Sequence, residues 1–168
     1  MADGGMKKFI IIGNQNEIPC KGIFELIKEN KLWLGMNSVK EFVKPNGETQ
    51  KFGNICWYTN VEHKKRHTPL DLYKRYSNEY QKYDNFDAIK IETTSDIPMN
   101  YEGIMGVPIT FLTKYCPEQF EILDLINRYM IYDYFGVNEI VREKHSHCGS
   151  VNGKPVYCRI LIRKRSAK

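Results

Sequence analysis

The chain has 168 residues, 42% of them hydrophobic and 12% aromatic, so it can bury one core of ordinary domain size. Its formal net charge is +5, and the excess lies at the C-terminal end, a distribution that favours polyanionic partners such as nucleic acid. No run of about 18 apolar residues occurs, the first residues lack the pattern of a signal peptide, and the scattered cysteines form no Cys-x-x-Cys pair. We therefore expect a cytoplasmic protein without a membrane span or a disulfide framework.

The first third of the chain predicts a strand, a helix and further strands. Residues 7–12 form an apolar run before Gly13, typical of a strand buried on both faces in a parallel sheet. Apolar residues at helical spacing then predict a helix over residues 19–30. Strands are predicted at residues 32–36, 41–44 and 54–59, and Pro45-Asn46-Gly47 suits a tight turn after the second of them.

Beyond Val61 the chain is more irregular and richer in tyrosine. Pro69 favours a short helix through Tyr76, and residues 88–92 alternate weakly, like an edge strand. Gly103, Gly106 and Pro108 indicate a loop, and the spacing after Pro117 predicts a helix to about Tyr129. Residues 130–150 show no clean period, and residues 156–163 alternate as a final strand.

Two pairs of residues are candidates for a base-binding pocket. Asn14 and Asn16 follow the first strand, where ligands collect in open α/β sheets, although asparagine is also an ordinary turn former. Trp57 and Tyr58 occupy successive strand positions, so one side chain faces the core and one can line a cleft. An aromatic face could stack on an extruded base, or both rings could simply pack the sheet.

Two basic clusters are candidates for contact with DNA phosphates. In the segment His63 to His67, Lys64, Lys65 and Arg66 are too close together in sequence for all to be buried unpaired, so they face water or phosphate. The second cluster is Arg163, Lys164 and Arg165. It belongs to residues 154–168, which hold six Lys or Arg and no acid, against 19 basic and 20 acidic residues elsewhere. A solvated loop and a solubilising tail are the alternatives.

A metal site is not expected. His145, His147, Cys148 and Cys158 are residue types that bind zinc, but they lack the separated pairs of a zinc finger, and Cys158 suits a strand core. The sequence also contains no Gly-x-Ser-x-Gly motif and no Gly-x-Gly-x-x-Gly fingerprint.

Five collinear stretches carry a resemblance to a known family. They are KKFIIIGNQN at residues 7–16, KFGNICWYTNVEHKKRH at 51–67, KYDNFDAI at 82–89, GIMGVPITFLTKYCPEQFEI at 103–122 and NGKPVYCRILIRKR at 152–165. The chain resembles the EcoRI-type adenine-specific DNA methyltransferases. Such enzymes transfer a methyl group from S-adenosylmethionine to the exocyclic amine of adenine in double-stranded DNA.

The resemblance implies an α/β fold, with part of a Rossmann-type methyltransferase sheet and an α+β target-recognition region. Residues 1–6 would be a leader or a cloning addition, residues 7–60 the rear half of the catalytic core, and residues 61–168 the recognition region, with its last strand returning to the core. The family's catalytic Asn-Pro-Pro-Phe turn and cofactor-binding strand should lie before Lys7, and this sequence contains neither. We therefore expect no catalytic residue in this chain, and we expect it neither to bind S-adenosylmethionine nor to methylate DNA by itself.

Three interpretations remain. The chain is the C-terminal part of a methyltransferase, as a cloned domain, a truncated gene product or one half of a split enzyme; or it is a stand-alone DNA-binding module; or it is a small α/β protein that binds another protein. An incomplete sheet has an exposed edge, so the missing N-terminal half or a second copy of the chain is the expected partner.

Overall fold

A computed structural model describes residues 7–38, 40–126 and 149–166, apart from the side chain of Lys21. The chain divides into two compact units, Met1–Arg66 and His67–Lys168, which we call unit 1 and unit 2. The architecture is mixed α/β, with several sheets and few helices. Within the described ranges, no helix is long and apolar enough to cross a bilayer.

Unit 1 is built around a three-stranded sheet with β5 at its centre. The order is β1-β5-β2, and β5 is antiparallel to both neighbours, so β1 and β2 run in the same direction. A short hairpin pairs β3 with β4. The elements are β1 (Ile10–Asn14), α1 (Lys21–Lys28), β2 (Trp33–Leu34), β3 (Glu41–Val43), β4 (Thr49–Lys51) and β5 (Ile55–Thr59).

The core of unit 1 lies on one face of this sheet. Leu34, Cys56 and Tyr58 are buried on the sheet, as are Phe24 and Ile27 on α1. The structure confirms the predicted helix as α1 and the three predicted strands as β2, β3 and β5, each with shorter bounds. It also confirms the turn at Pro45-Asn46-Gly47. The hairpin partner β4 was not predicted, because Thr49–Lys51 is short, polar and exposed.

The prediction that residues 7–12 form a strand buried on both faces of a parallel sheet is wrong. β1 pairs antiparallel with β5 and has no partner on its other edge among the described residues. Ile10, Ile11 and Ile12 are 64%, 55% and 49% exposed. An isoleucine-rich run therefore occupies an edge strand whose two faces are both largely open.

Unit 2 contains a four-stranded sheet of order β6-β7-β11-β8 and a separate hairpin of β9 and β10. β6 is parallel to β7, and β11 is antiparallel to β7 and to β8. Ile160, Leu161 and Ile162 on β11 are fully buried, so both faces of this strand are covered. The strands are β6 (Ala88–Lys90), β7 (Ile104–Pro108), β8 (Phe120–Ile126), β9 (Ser150–Val151), β10 (Lys154–Pro155) and β11 (Arg159–Lys164).

The predicted helix from Pro117 to Tyr129 is also wrong, because Phe120–Ile126 is strand β8. Its register with β11 shifts between Leu161 and Ile162, so that Leu123 is an extra residue on β8. Such a bulge breaks strict alternation and lets Ile122 and Leu123 both be buried. Adjacent buried residues in a short apolar run imitate helical spacing, which explains the error.

Two further predictions in unit 2 are corrected. The segment from Pro69 to Tyr76 is not helical, and the predicted loop around Gly106 is strand β7. Gly106 lies against Tyr83, where a β-carbon would come within 2.2 Å of the phenol oxygen. This glycine therefore marks a close contact inside a strand rather than a turn. The strand predicted at residues 88–92 is confirmed as β6, and that at 156–163 as β11.

Asp84 fixes the hairpin of β9 and β10. Its two carboxylate oxygens accept hydrogen bonds from the backbone N–H groups of Asn152 (3.1 Å) and Gly153 (2.9 Å). Both turn residues have positive φ, 53° at Asn152 and 71° at Gly153, as a tight hairpin requires. The bond from the Gly153 N–H lowers the pKa of Asp84 below its usual 3.8.

We expect the hairpin to loosen in acid. Because the pKa of Asp84 is depressed in the folded protein, its ionised form stabilises the hairpin above pH 3.8 and this contribution is lost as pH falls through the lowered value. The amide proton shifts of Asn152 and Gly153, followed by NMR against pH, should report this titration. Asp84→Asn should remove it, and an unaltered titration in that variant would contradict the assignment.

Candidate nucleic-acid interface

Strand β5 places Tyr58 in the core of unit 1. The Tyr58 hydroxyl donates a hydrogen bond to the carbonyl oxygen of Asn14 over 2.9 Å, and burial raises the pKa of the phenol. A β-carbon at Gly13 would lie 2.5 Å from the Tyr58 ring. The GNQN turn thus needs its glycine to admit this ring. Tyr58, predicted as a candidate for the base pocket, supports the sheet instead.

Trp57 faces the opposite side of the sheet and lines an apolar cleft of about 460 Å³. Gly35, directly after β2, lies close to Trp57. A β-carbon at Gly35 would lie 2.8 Å from the Trp57 Cβ. The Gly35 N–H donates to the Trp57 carbonyl over 2.8 Å. Ile10, Met36 and His63 also line this space, which we call the Trp57 cleft.

Two residues of the basic segment hold the rim of the Trp57 cleft. His63 Nε2 donates to the Leu34 carbonyl over 2.9 Å, and Lys65 Nζ donates to the Met36 carbonyl over 3.2 Å. His63 Nδ1 is buried and has no hydrogen-bond partner among the described residues. The lining of the cleft therefore combines an aromatic wall with a ring nitrogen, and the Lys65 ammonium group is bound to the carbonyl of one lining residue, Met36.

Arg66 lies inside unit 1 and does not face solvent. It is 7% exposed, and its guanidinium lies 4.0 Å from the centroid of the Trp33 ring. Arg66 Nη2 donates to Asn30 Oδ1 over 3.1 Å, and Nε lies 3.4 Å from a carboxylate oxygen of Glu62. Asn30 follows α1 with φ 55°, so Arg66 braces the C-terminal end of this helix. This conformation leaves the Arg66 guanidinium unsuited to a phosphate contact.

The neighbours of Arg66 diverge. Lys64 is exposed on a 3₁₀ turn, Lys64–His67. His67 belongs to unit 2, where its Nδ1 lies 2.7 Å from Glu118 Oε1. The basic segment therefore leaves Lys64 exposed, binds Lys65 to the Met36 carbonyl and sends Arg66 inward.

Asn14 and Asn16 have different surroundings. Asn14 Oδ1 accepts a hydrogen bond from the Asn16 backbone N–H over 2.9 Å, and the Glu17 carboxylate accepts from the Asn14 N–H. The Asn14 side chain thus caps the 3₁₀ turn Gln15–Glu17. Asn16 is exposed, and neither asparagine lines the Trp57 cleft.

The C-terminal basic cluster is largely paired within unit 2. Arg163 binds Glu121, with Nη2 at 2.5 Å and Nε at 2.7 Å from Oε1. Lys164 Nζ donates to the Met99 carbonyl, and Arg165 Nε donates to the Pro117 carbonyl over 2.7 Å. These three side chains line a cleft in which the three carboxylates of Glu102, Glu118 and Glu121 offset their charge.

Sequence reasoning did not identify the cleft residues Gly35, Met36 and His63 as a group. A glycine inside the strand predicted at residues 32–36 was the available signal for Gly35, because glycine within a strand often marks a close approach. The possible zinc ligands His145, His147 and Cys148 lie outside the described residues, and Cys158 is partly buried. The described ranges contain no group of three or more potential metal ligands.

Comparison with known proteins identifies the family. The family model described as adenine-specific methyltransferase EcoRI matches residues 5–165. The chain belongs to the EcoRI-type adenine-specific methyltransferase family. It is 41% identical to the type II methyltransferase M.EcoRI of Escherichia coli, and the match covers 95% of this chain and 51% of that protein.

Two further members of the family come from mycoplasmas. The type II methyltransferases M.MpnI of Mycoplasma pneumoniae and M.MgeORF184P of Mycoplasma genitalium are both 34% identical, over 95% of this chain and 57% of each relative. The chain therefore spans little more than half the length of these relatives. No solved structure matches it.

The burial of Arg66 yields a stability prediction. Arg66→Ala should lower the free energy of unfolding by about 2–4 kcal/mol, because it removes a buried cation-π contact and a paired charge. Lys64→Ala, two positions away and exposed, should change it by less than about 0.5 kcal/mol. Urea denaturation of both variants measures the difference. Equal stability would contradict the structural role of Arg66.

Proposed function

We propose that this chain forms the rear of the catalytic core and much of the target-recognition region of a sequence-specific DNA adenine methyltransferase. The complete enzyme would transfer a methyl group from S-adenosylmethionine to the exocyclic amine of adenine. The chain by itself binds double-stranded DNA without methylating it. The observation that carries this proposal is the family match over residues 5–165, combined with coverage of 51–57% of the relatives.

The arrangement of unit 1 supports a role beside the extruded base. Trp57 supplies an aromatic wall to an apolar cleft, and a planar base can stack on such a wall. Lys65, bound to the Met36 carbonyl, and Lys64, exposed at the start of the 3₁₀ turn, can each contact a backbone phosphate. Arg66 then acts indirectly, because it contacts Asn30 after α1 and the Trp33 ring on β2. Of the C-terminal cluster, Arg163, Lys164 and Arg165 remain weaker candidates, because acids line the same cleft.

The described residues do not fit S-adenosylmethionine by themselves. The Gly13 turn is filled by the Tyr58 ring, so its backbone forms no open cradle for a nucleoside. One carboxylate, Glu62, lines the Trp57 cleft, and no glycine-rich turn adjoins it there. We therefore assign the cofactor and the Asn-Pro-Pro-Phe chemistry to a polypeptide segment that this sequence does not contain.

A salt titration tests DNA binding. Affinity for a labelled duplex should fall steeply as salt rises, and the double variant Lys64→Ala/Lys65→Ala should bind all sequences more weakly and lower the salt slope by about 2, roughly one unit per lost phosphate contact. The control Lys44→Ala/Lys51→Ala removes two charges from the β3–β4 hairpin and should leave the slope unchanged.

The outcomes of that titration separate the alternatives. Salt-dependent binding without methyl transfer from labelled S-adenosylmethionine supports the proposal or a stand-alone DNA-binding module. Absence of binding even at low salt would favour a small protein that binds another protein. Methyl transfer by this chain alone would show that the active site has been misplaced.

The exposed edge of β1 supports a protein partner. Its three isoleucines are about half exposed or more, and an open edge carries backbone groups ready to pair with another strand. We assign this edge to a strand of the missing N-terminal half, which would complete the sheet. A second copy of the chain is the alternative occupant.

A charge on β1 tests this partner. The partner to test is the part of M.EcoRI that the match leaves uncovered. Ile10→Lys should reduce co-purification with that part by at least about tenfold, because the variant buries a lysine in an apolar contact. Val43→Lys, at an exposed position on β3, is the matched control and should have no effect. Sedimentation of the chain alone completes the test. A dimer that Ile10→Lys dissociates would show that a second copy occupies the edge instead.

A further inference from the structure

A second cleft, in unit 2, lies where the β9–β10 hairpin and the start of β11 meet β6. It has a volume of about 460 Å³, and its lining includes Lys90, Glu92, Lys154, Tyr157 and Arg159. We propose that this cleft, here called the Arg159 cleft, binds a backbone phosphate of DNA, with the Tyr157 ring against the neighbouring nucleotide. The inference rests on the proposed DNA-binding function and adds a contact site that neither basic cluster contains.

The residues that line the Arg159 cleft carry an excess of positive charge. Lys90, Lys154 and Arg159 line the Arg159 cleft together with one acid, Glu92, so three cations less one anion leave a local charge of +2. The cleft beside the C-terminal cluster has three cations and three carboxylates and is neutral by the same count. A positive cleft concentrates field and attracts anions, whereas a neutral one does not.

Two cations of the Arg159 cleft are largely buried. The side chains of Lys90 and Arg159 are 15% and 13% exposed, and both pair with the same carboxylate, Glu92, which is 58% exposed. Arg159 Nη2 lies 3.5 Å from Glu92, a long distance for a charge-assisted bond. Arg159 Nε is buried and has no hydrogen-bond partner among the described residues. Two largely buried cations sharing one partly solvated anion leave room for a second anion.

The wall of the Arg159 cleft is held by hydrogen bonds. Asp84 holds the hairpin turn through two backbone N–H groups, so Lys154 projects from a fixed support. Tyr157, two residues after the hairpin, is 88% exposed. A large aromatic ring so open to water beside a cationic cleft is suited to stack on a nucleotide whose phosphate lies in the cleft. Phosphate also matches the planar donor fork of an arginine.

Variants of the cleft test the inference. Lys154→Ala and Arg159→Gln should each weaken binding to a labelled duplex roughly tenfold and lower the salt slope by about 1. Lys114→Ala, which removes one exposed charge from unit 2 outside this cleft, should do neither. Tyr157→Ala should weaken binding and leave the salt slope unchanged, since it removes no charge. Thermal melts check Arg159→Gln for folding, and the exposed Lys154 variant keeps the test valid if that protein is unstable.

Inorganic phosphate gives a readout that does not depend on DNA. Millimolar phosphate should shift the amide resonances of Asn152, Gly153 and Tyr157 in the unmodified chain, and Arg159→Gln should abolish the shifts. If DNA binds and the cleft variants behave like Lys114→Ala, the phosphate site is wrong while the proposed function stands. If phosphate shifts these resonances but no duplex binds, the cleft is an anion site and the DNA-binding proposal fails. Absence of both responses overturns both.

Discussion

The pairing of β5 on both edges is the constraint on which unit 1 depends. Because β1 and β2 both bond to this strand, successive side chains of β5 are committed to opposite faces of the sheet. Tyr58 therefore enters the core and Trp57 is left to line a cleft. Two glycines make this possible, since Gly13 admits the Tyr58 ring and Gly35 lets β2 approach Trp57. A single residue of register slip would exchange the two aromatics and remove the cleft.

In both units, the free-energy cost of burying a charge decides which basic side chains are buried or paired and which stay exposed. Arg66 enters the interior because the Trp33 ring, Asn30 and Glu62 together stabilise its guanidinium. At the C-terminal end, Arg163 is paired with Glu121 while its side chain stays partly exposed. Lys64 is exposed on a 3₁₀ turn. A cluster of basic residues in a sequence therefore overstates the cationic surface, because one member can be buried and another can be paired with an acid.

The spacing of apolar residues predicted the elements whose pattern matches their structure. It failed for strands whose conformation or burial depends on pairing with distant strands. Helix α1 and strand β5 were found from apolar spacing alone. β8 was read as a helix because one bulged residue, Leu123, restores a helical spacing of apolar positions. β1 was read as a buried strand because its isoleucines are apolar, yet no pattern within one strand reveals whether a neighbour covers it. Of the candidate site, Trp57, Lys64 and Lys65 were predictable, whereas the inward path of Arg66 depends on its contact with Asn30, after α1.

The Arg159 cleft could not be predicted from the sequence, because tertiary contacts bring its residues together. Its cations come from β6, from the hairpin and from β11, and each is an isolated basic residue among neighbours of other types. The C-terminal run contains more cations in a row, but Glu102, Glu118 and Glu121, which neutralise that run, come from other segments. What attracts a phosphate is the balance of charge among the side chains that line one cleft, and folding sets that balance by bringing acids to some cations and fewer to others. Of these two clefts, the one with excess positive charge is therefore the one in which a single carboxylate, Glu92, serves two largely buried cations.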